Sequence, residues 1–156
     1  MNTFSPLRSR FGIKFSLLAR RWRRAIDAHL SASGLTDTTW VPLVHLRQTG
    51  GGITQKELAA LVGVDGSSLV RVLDILAREG LIERRRDEND GRANLIHLTP
   101  EGEDRVGEIR RELARVERVM LSELSDDDIA AMLTHFEAIE RRMPELEGMA
   151  SKTEHP

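Results

Sequence analysis

Thr54-Gln55-Lys56-Glu57-Leu58-Ala59-Ala60-Leu61-Val62-Gly63-Val64-Asp65-Gly66-Ser67-Ser68-Leu69-Val70-Arg71-Val72-Leu73-Asp74 is the stretch whose reading decides the fold. Thr54 stands three residues before Glu57, the capping-box spacing in which hydroxyl and carboxylate each satisfy an orphan N–H at a helix start. Leu58, Leu61 and Val62 continue as an apolar stripe, and Gly63 is able to take the left-handed conformation that ends a helix. Asp65-Gly66-Ser67-Ser68 is capping sequence again, after which Leu69, Val72, Leu73 and Leu76 recur three and four apart. Two helices joined so tightly cross at a steep angle. Small Ala59 then falls at the crossing, Gly63 in the turn, and Leu58, Val62, Val64, Leu69 and Val72 inward. An ordinary helical hairpin needs neither the small residue nor the glycine, so the spacing predicts a helix-turn-helix.

On the second of these helices, expected over 65–79, Ser67, Arg71, Asp74 and Arg78 face away from Leu69, Leu73 and Leu76. Such a face suits a major groove: Ser67, Ser68 and the free N–H groups of the first turn meet phosphates or base edges, and Arg71 forks onto guanine O6 and N7. The plainer account is a solvated face on which Asp74 pairs with Arg78 four residues on. Downstream, Leu81-Ile82-Glu83-Arg84-Arg85-Arg86, a polar turn from Asp87 to Gly91, and Ala93-Asn94-Leu95-Ile96-His97-Leu98 read as a hairpin over 82–98, with Asp90-Gly91 as its tight-turn dipeptide. Arg84, Arg85, Arg86 and Arg92 would carry four guanidinium groups to an exposed loop of the kind a narrow minor groove attracts, with Asp90 holding Arg92. Against this, Asp87, Glu88 and Asp90 are carboxylates able to neutralise that charge locally.

Taken together, Gln55-Lys56-Glu57-Leu58-Ala59, Ser67-Ser68-Leu69-Val70-Arg71-Val72-Leu73-Asp74, Glu79-Gly80-Leu81-Ile82-Glu83-Arg84, Asp90-Gly91-Arg92 and Leu98-Thr99-Pro100-Glu101-Gly102 resemble the MarR family of bacterial transcription regulators. Leu18-Ala19-Arg20-Arg21-Trp22-Arg23 and Gly34-Leu35-Thr36-Asp37-Thr38-Thr39-Trp40 are similar to its SlyA branch. The likeness covers residues 10 to 143. The family's wing signature, Asp-x-Arg, falls on Asp90 and Arg92, and Pro42 departs from the family's pattern. The resemblance implies a homodimer on a pseudo-palindromic operator in double-stranded DNA, acting as a repressor relieved by a small aromatic or phenolic ligand. It further implies a ligand cleft between the dimerisation helices and the DNA-binding lobe. Arg20, Trp22, Arg24, Trp40 and Val44 are the residues expected there, the two arginines for a carboxylate; core packing is the plainer role for both tryptophans.

The chain of 156 residues is one domain's worth, with the 31% charged and 40% hydrophobic content of a soluble globular protein. The absence of an apolar run of membrane length and of a signal peptide's apolar core leads to the expectation of a cytoplasmic protein with no membrane partner. Lack of cysteine excludes disulfides, thiolate metal sites and cysteine-based peroxide sensing. The net charge of −2 conceals an uneven distribution. Residues 1–24 carry seven Lys or Arg and no acid, the middle carries eight against ten, and residues 101–156 carry eight against fifteen. DNA affinity therefore depends on where the arginines sit and not on overall charge.

Residues 1–9 and 147–156 are expected to be disordered arms. From Arg10 to about Gly34, Phe11, Phe15, Leu18, Trp22, Ala25 and His29 make one amphipathic stripe, with His29 expected as a hydrogen-bonded interface residue. Thr36 or Thr38 is expected to cap a second helix. Pro42 is tolerated there only in the first turn or at a kink, which favours a start at Thr38. Gly50-Gly51-Gly52 reads as a flexible link. Thr99-Pro100-Glu101 is a helix start followed by Val106, Ile109, Leu113, Val116 and Met120; Ser125 caps another, carrying Ile129, Met132, Phe136, Ile139 and Met143. The expected fold is mainly α with a small β-hairpin wing. Helices over 10–34 and 100–146 dimerise through Phe11, Phe15, Leu18, Leu113, Val116, Ile129, Phe136 and Ile139, and a winged helix-turn-helix over 36–99 binds DNA. The five histidines lack metal-ligand spacing and no Gly-x-Ser-x-Gly elbow exists, so neither an enzyme nor a metal or other cofactor is expected. A winged helix used only for protein contacts is the alternative.

Overall fold

The computed structural model describes residues 6–34 and 39–153. Arm residues 1–5, the expected caps Thr36 and Thr38, and tail residues 154–156 lie outside them. Among the described residues, seven helices and three strands follow in the order α1 (Pro6–Ala32), α2 (Trp40–Thr49), β1 (Ile53–Thr54), α3 (Gln55–Val62), α4 (Gly66–Arg78), β2 (Ile82–Arg86), β3 (Asn94–Leu98), α5 (Pro100–Met120), α6 (Asp126–Glu140) and α7 (Met143–Thr153). They divide into two compact units, Met1–Val116 and Glu117–Pro156.

In the first unit, Thr54 and Glu57 close the capping box of α3, and Gly63 ends that helix at φ 74°. Asp65 caps α4 by accepting from the Ser68 N–H. The two helices bury Leu58, Leu69, Leu73 and Leu76 almost completely, together with Leu30 of α1, Leu43 and Leu46 of α2 and Ile96 of β3. Each such side chain stabilises the fold by about 1.5–3 kcal/mol. Ala59 is buried, but Val64, expected inward, is 43% exposed, because the turn carries it outward.

The expected two-stranded wing is the outer part of an antiparallel sheet of order β1-β3-β2. Ile53 and Thr54 pair with Ile96 and Leu95, a strand too short to leave an alternating pattern. It is positioned by the three glycines, which are an ordered corner and not a flexible link. Gly50, Gly51 and Gly52 all take positive φ, from 69° to 82°, and the Gly52 N–H reaches Ile96 O at 2.9 Å. Side chains would strain all three positions. The Asp90-Gly91 dipeptide does open a tight turn, closed by Ala93 N–H to Asp90 O at 3.0 Å, but Gly91 is not among the positive-φ glycines and the turn sits in a longer loop held by Asp87 N–H to Ala93 O at 2.9 Å.

The last strand feeds α5 through Thr99, whose hydroxyl accepts from the Gly102 N–H at 3.0 Å and donates to Gly80 O at 2.5 Å. Gly102 has a steric reason for its identity. A Cβ there would sit 2.0 Å from the Leu81 carbonyl oxygen, so only glycine lets α5 start against the end of α4. Pro42 falls in the first turn of α2, where its missing N–H costs nothing; the helix starts at Trp40 with Thr39 at the cap position and no side-chain cap hydrogen bond, later than expected.

The first helix begins at Pro6, which corrects the expected disorder of residues 6–9; proline is preorganised for a helix's first position, and the Ser9 hydroxyl bonds to Pro6 O. Its core contacts are Ile26 and Leu30, while Phe11, Phe15, Leu18 and Ala25 of the expected stripe are exposed within the chain. In the second unit, Ser125 and Asp128 form a capping box at the start of α6, and the carboxyl of Asp128 is held below its ordinary pKa by the Ser125 backbone N–H and hydroxyl. No residue of α6 is buried within the chain. Instead of the expected disorder from 147, α7 runs to Thr153, started by Pro144 in its first turn and by Arg142 pairing with Glu145 at 2.6 Å.

Candidate nucleic-acid interface

The outward face of α4 is built by elimination: once Leu69, Leu73 and Leu76 are inside, Ser67, Val70, Arg71, Asp74 and Arg78 must point out, and all five are exposed. Arg71 and Arg78 are in no ion pair with a described residue, so the Asp74–Arg78 pair of the plainer account does not form. Asp74 instead accepts from Arg84 Nη2 of β2 at 2.8 Å. The tertiary pairing of α4 with the wing wins over the local spacing because β2 leaves the end of α4 through Gly80 and runs back beside it.

The first turn of α4 differs from expectation as well. Ser67 and Ser68 both donate their hydroxyls to Asp65, at 2.6 and 3.1 Å, and the Ser68 N–H goes to the same carboxylate at 2.8 Å. These bonds hold the Asp65 carboxyl at a pKa of about 2, the Ser67 hydroxyl first among them. A phosphate arriving here must displace the carboxylate's hold on those donors.

On the wing, Arg84 is committed to Asp74 and Arg85 to Glu83, whereas Arg86 and Arg92 are exposed and in no ion pair with a described residue. Asp90 holds the Arg92 main chain, accepting its N–H at 3.1 Å, and not its guanidinium; Asp87 likewise accepts from the Asn89 N–H at 2.9 Å. The loop carboxylates thus shape the backbone and leave the charges of Arg86 and Arg92 standing.

The residues expected for a small ligand are only partly brought together. Trp40 of α2 is almost buried, donates its Nε1–H to Asp27 at 3.0 Å, and lies under the Arg23 guanidinium at 4.9 Å, so its indole is committed to joining α2 to α1. Trp22 and Val44 are half-buried, and Arg20 and Arg24 are exposed. Of the expected dimerisation residues, Phe11, Phe15, Leu18 and Ile139 are exposed, and Leu113, Val116, Ile129 and Phe136 are half-buried. His29 bonds through Nε2 to Glu112 at 2.8 Å, linking α1 to α5. That bond holds the Glu112 carboxyl below its ordinary pKa. No group of three or more acidic, histidine or cysteine side chains among the described residues is arranged to hold a metal.

Sequence reasoning missed Asp27, Asp65 as a partner of both serines, and Val70. The last was available: it lies three residues after Ser67 and four before Asp74, on the same outward face.

A family model described as the MarR family matches residues 35–93. The crystal structure of the transcriptional regulator PA3341 is 33% identical, with a TM-score of 0.76, covering 88% of this chain and 98% of that one. The PcaV transcriptional regulator from Streptomyces coelicolor, in complex with its natural ligand, is 28% identical at a TM-score of 0.64, covering 80% and 89%. A mutant MarR from E. coli complexed with operator DNA is 24% identical at a TM-score of 0.70, covering 82% and 91%. The matched segment takes in α2, the helix-turn-helix, β2 and the wing loop, stopping just before β3, and the chain belongs to the MarR family of transcriptional regulators.

Proposed function

We propose that this chain is a homodimeric, sequence-specific DNA-binding repressor of the SlyA-like branch, with α4 in the major groove of each half-site and the β2–β3 wing in the flanking minor groove. The observation that carries this reading is the outward face of α4, where Arg71 and Arg78 stand exposed and unpaired among the described residues beside a wing whose Arg86 and Arg92 are likewise uncommitted. Such guanidinium groups supply phosphate attraction and guanine readout. The operator complex of the E. coli relative supports the same use of this fold. Dimerisation is supported by the large side chains left in water: Phe11, Leu18, Ile139 and Met143 are each 40% exposed or more. The helices over 10–34 and 100–146 form the dimer and residues 36–99 the DNA-binding lobe, acting in the cytoplasm where the DNA is; no helix among the described residues is long and apolar enough to cross a membrane.

The ligand-bound relative supports relief of repression by a small molecule. An aromatic carboxylate or phenol binds beside α1, with Arg20 or Arg24 receiving the carboxylate and Trp22 and Val44 supplying apolar wall; Trp40 backs that wall from the core. Linkage then requires that operator DNA weaken the ligand by the factor by which ligand weakens DNA.

The test is a fluorescence-anisotropy titration against duplexes selected from a random pool, at several salt concentrations. Affinity falling steeply with salt and release by salicylate-like compounds, over the range in which they quench Trp22, support the reading. Failure to select any duplex supports the protein-contact alternative.

A further inference from the structure

Val70 is the one apolar side chain on the outward face of α4, 39% exposed amid Ser67, Arg71, Asp74 and Arg78. On that face its helical neighbours are Gly66 and Ser67 one turn before and Asp74 one turn after, so no apolar group of its own face shields it. A β-branched residue is a poor helix former, and the core positions beside it are Leu69 and Leu73. Ser67 and Ser68 have both given their hydroxyls to Asp65, which leaves Arg71 and Val70 as the adjacent pair free to meet base edges from the middle of the helix.

The floor of the major groove offers one exposed apolar group, the C5 methyl of thymine. We infer that Val70 packs its γ-methyls on a thymine C5 methyl beside the guanine that Arg71 reads, so that each half-site carries a thymine within one base step of that guanine. The inference rests on the DNA-binding reading above and adds to it a specificity residue. Cytosine at the same place presents no methyl and sets an N4 amino group, a donor, against an apolar side chain that cannot accept it. Selection against cytosine therefore follows from the same contact.

The experiment uses the wild-type chain and Val70→Ala, a substitution that keeps an exposed helical position helical, verified by its melting temperature. Duplexes selected by the wild type are remade with deoxyuridine in place of one thymidine at a time, which removes only the C5 methyl. One position per half-site is expected to cost the wild type roughly fourfold in affinity, the scale of returning one methyl group to water. Val70→Ala is expected to bind the thymine and uracil forms of that position alike. A wild type indifferent to every replacement, or a loss that persists unchanged in Val70→Ala, overturns the thymine contact while leaving DNA binding intact. A wild type that selects no duplex overturns the DNA-binding reading itself, and the thymine contact with it.

Discussion

Asp74 on α4 and Arg84 on β2, ten residues apart in sequence, meet at 2.8 Å and tie α4 to the wing. Both side chains reach water, Arg84 at 33% and Asp74 at 52% exposure, so the pair is worth little to stability, at most about 1 kcal/mol. Its effect is positional: it joins β2 to α4 and occupies the Arg84 guanidinium. Asp74→Ala is expected to leave the melting temperature nearly unchanged and to release Arg84 to the DNA backbone. Non-specific affinity should rise, selectivity should fall, and the slope of log affinity against log salt should steepen by roughly 1 per half-site. Unchanged salt slopes would show that Arg84 does not reach the DNA when freed.

Arg71→Ala is expected to cost roughly 1–3 kcal/mol in operator binding and to relax preference at one base pair per half-site. Arg92→Ala should weaken binding through the minor groove, reducing preference for flanking A·T steps. Competition titrations with single-base operator variants distinguish the two patterns.

Gly102 and Gly107 lie five residues apart on α5 and should respond with opposite sign. Gly102→Ala places a methyl 2.0 Å from Leu81 O and is expected to destabilise by about 1–3 kcal/mol, as overpacking does. Gly107→Ala meets only the Arg111 side chain, at 3.7 Å, and should stabilise by about 0.5–1 kcal/mol through helix propensity. Urea unfolding at one protein concentration checks both.

Asp65 is expected to make the start of α4 acid-sensitive. Its folded pKa of about 2 lies below the ordinary 3.8, so its contribution to stability is present above about pH 4 and is lost as the pH falls from there through 2. Asp65→Asn, which keeps an acceptor for the Ser68 N–H, should flatten the stability profile over that window, measured by chemical unfolding at each pH.

Leu18, 54% exposed in the single chain, is expected to be covered in a dimer. Leu18→Glu should therefore sediment as a folded monomer while the wild type sediments as a dimer at micromolar concentration. A monomeric wild type would refute the assembly proposed here.

Local rules carried most of the fold. The capping residues Thr54, Asp65, Thr99 and Ser125, the glycine at 63 and the leucine spacing of α4 place the helix-turn-helix, because each depends on neighbours within one turn of chain. The outward placement of Arg71 and Arg78 followed from the same periodicity. What sequence did not determine depends on groups distant in the chain or on geometry without a composition signal. The strand at Ile53–Thr54 exists only because three consecutive left-handed glycines deliver it to β3. Asp74 chose Arg84 over Arg78, and Trp40 was claimed by Asp27 and Arg23, because tertiary packing brought those partners closer than helical spacing did. The periodic stripe of α1 showed that it is amphipathic but could not distinguish its two apolar faces. Only the folded chain separates Ile26 and Leu30, which are inside, from Phe11, Phe15 and Leu18, which remain in water, because burial is a property of what packs against a side chain and not of the side chain itself.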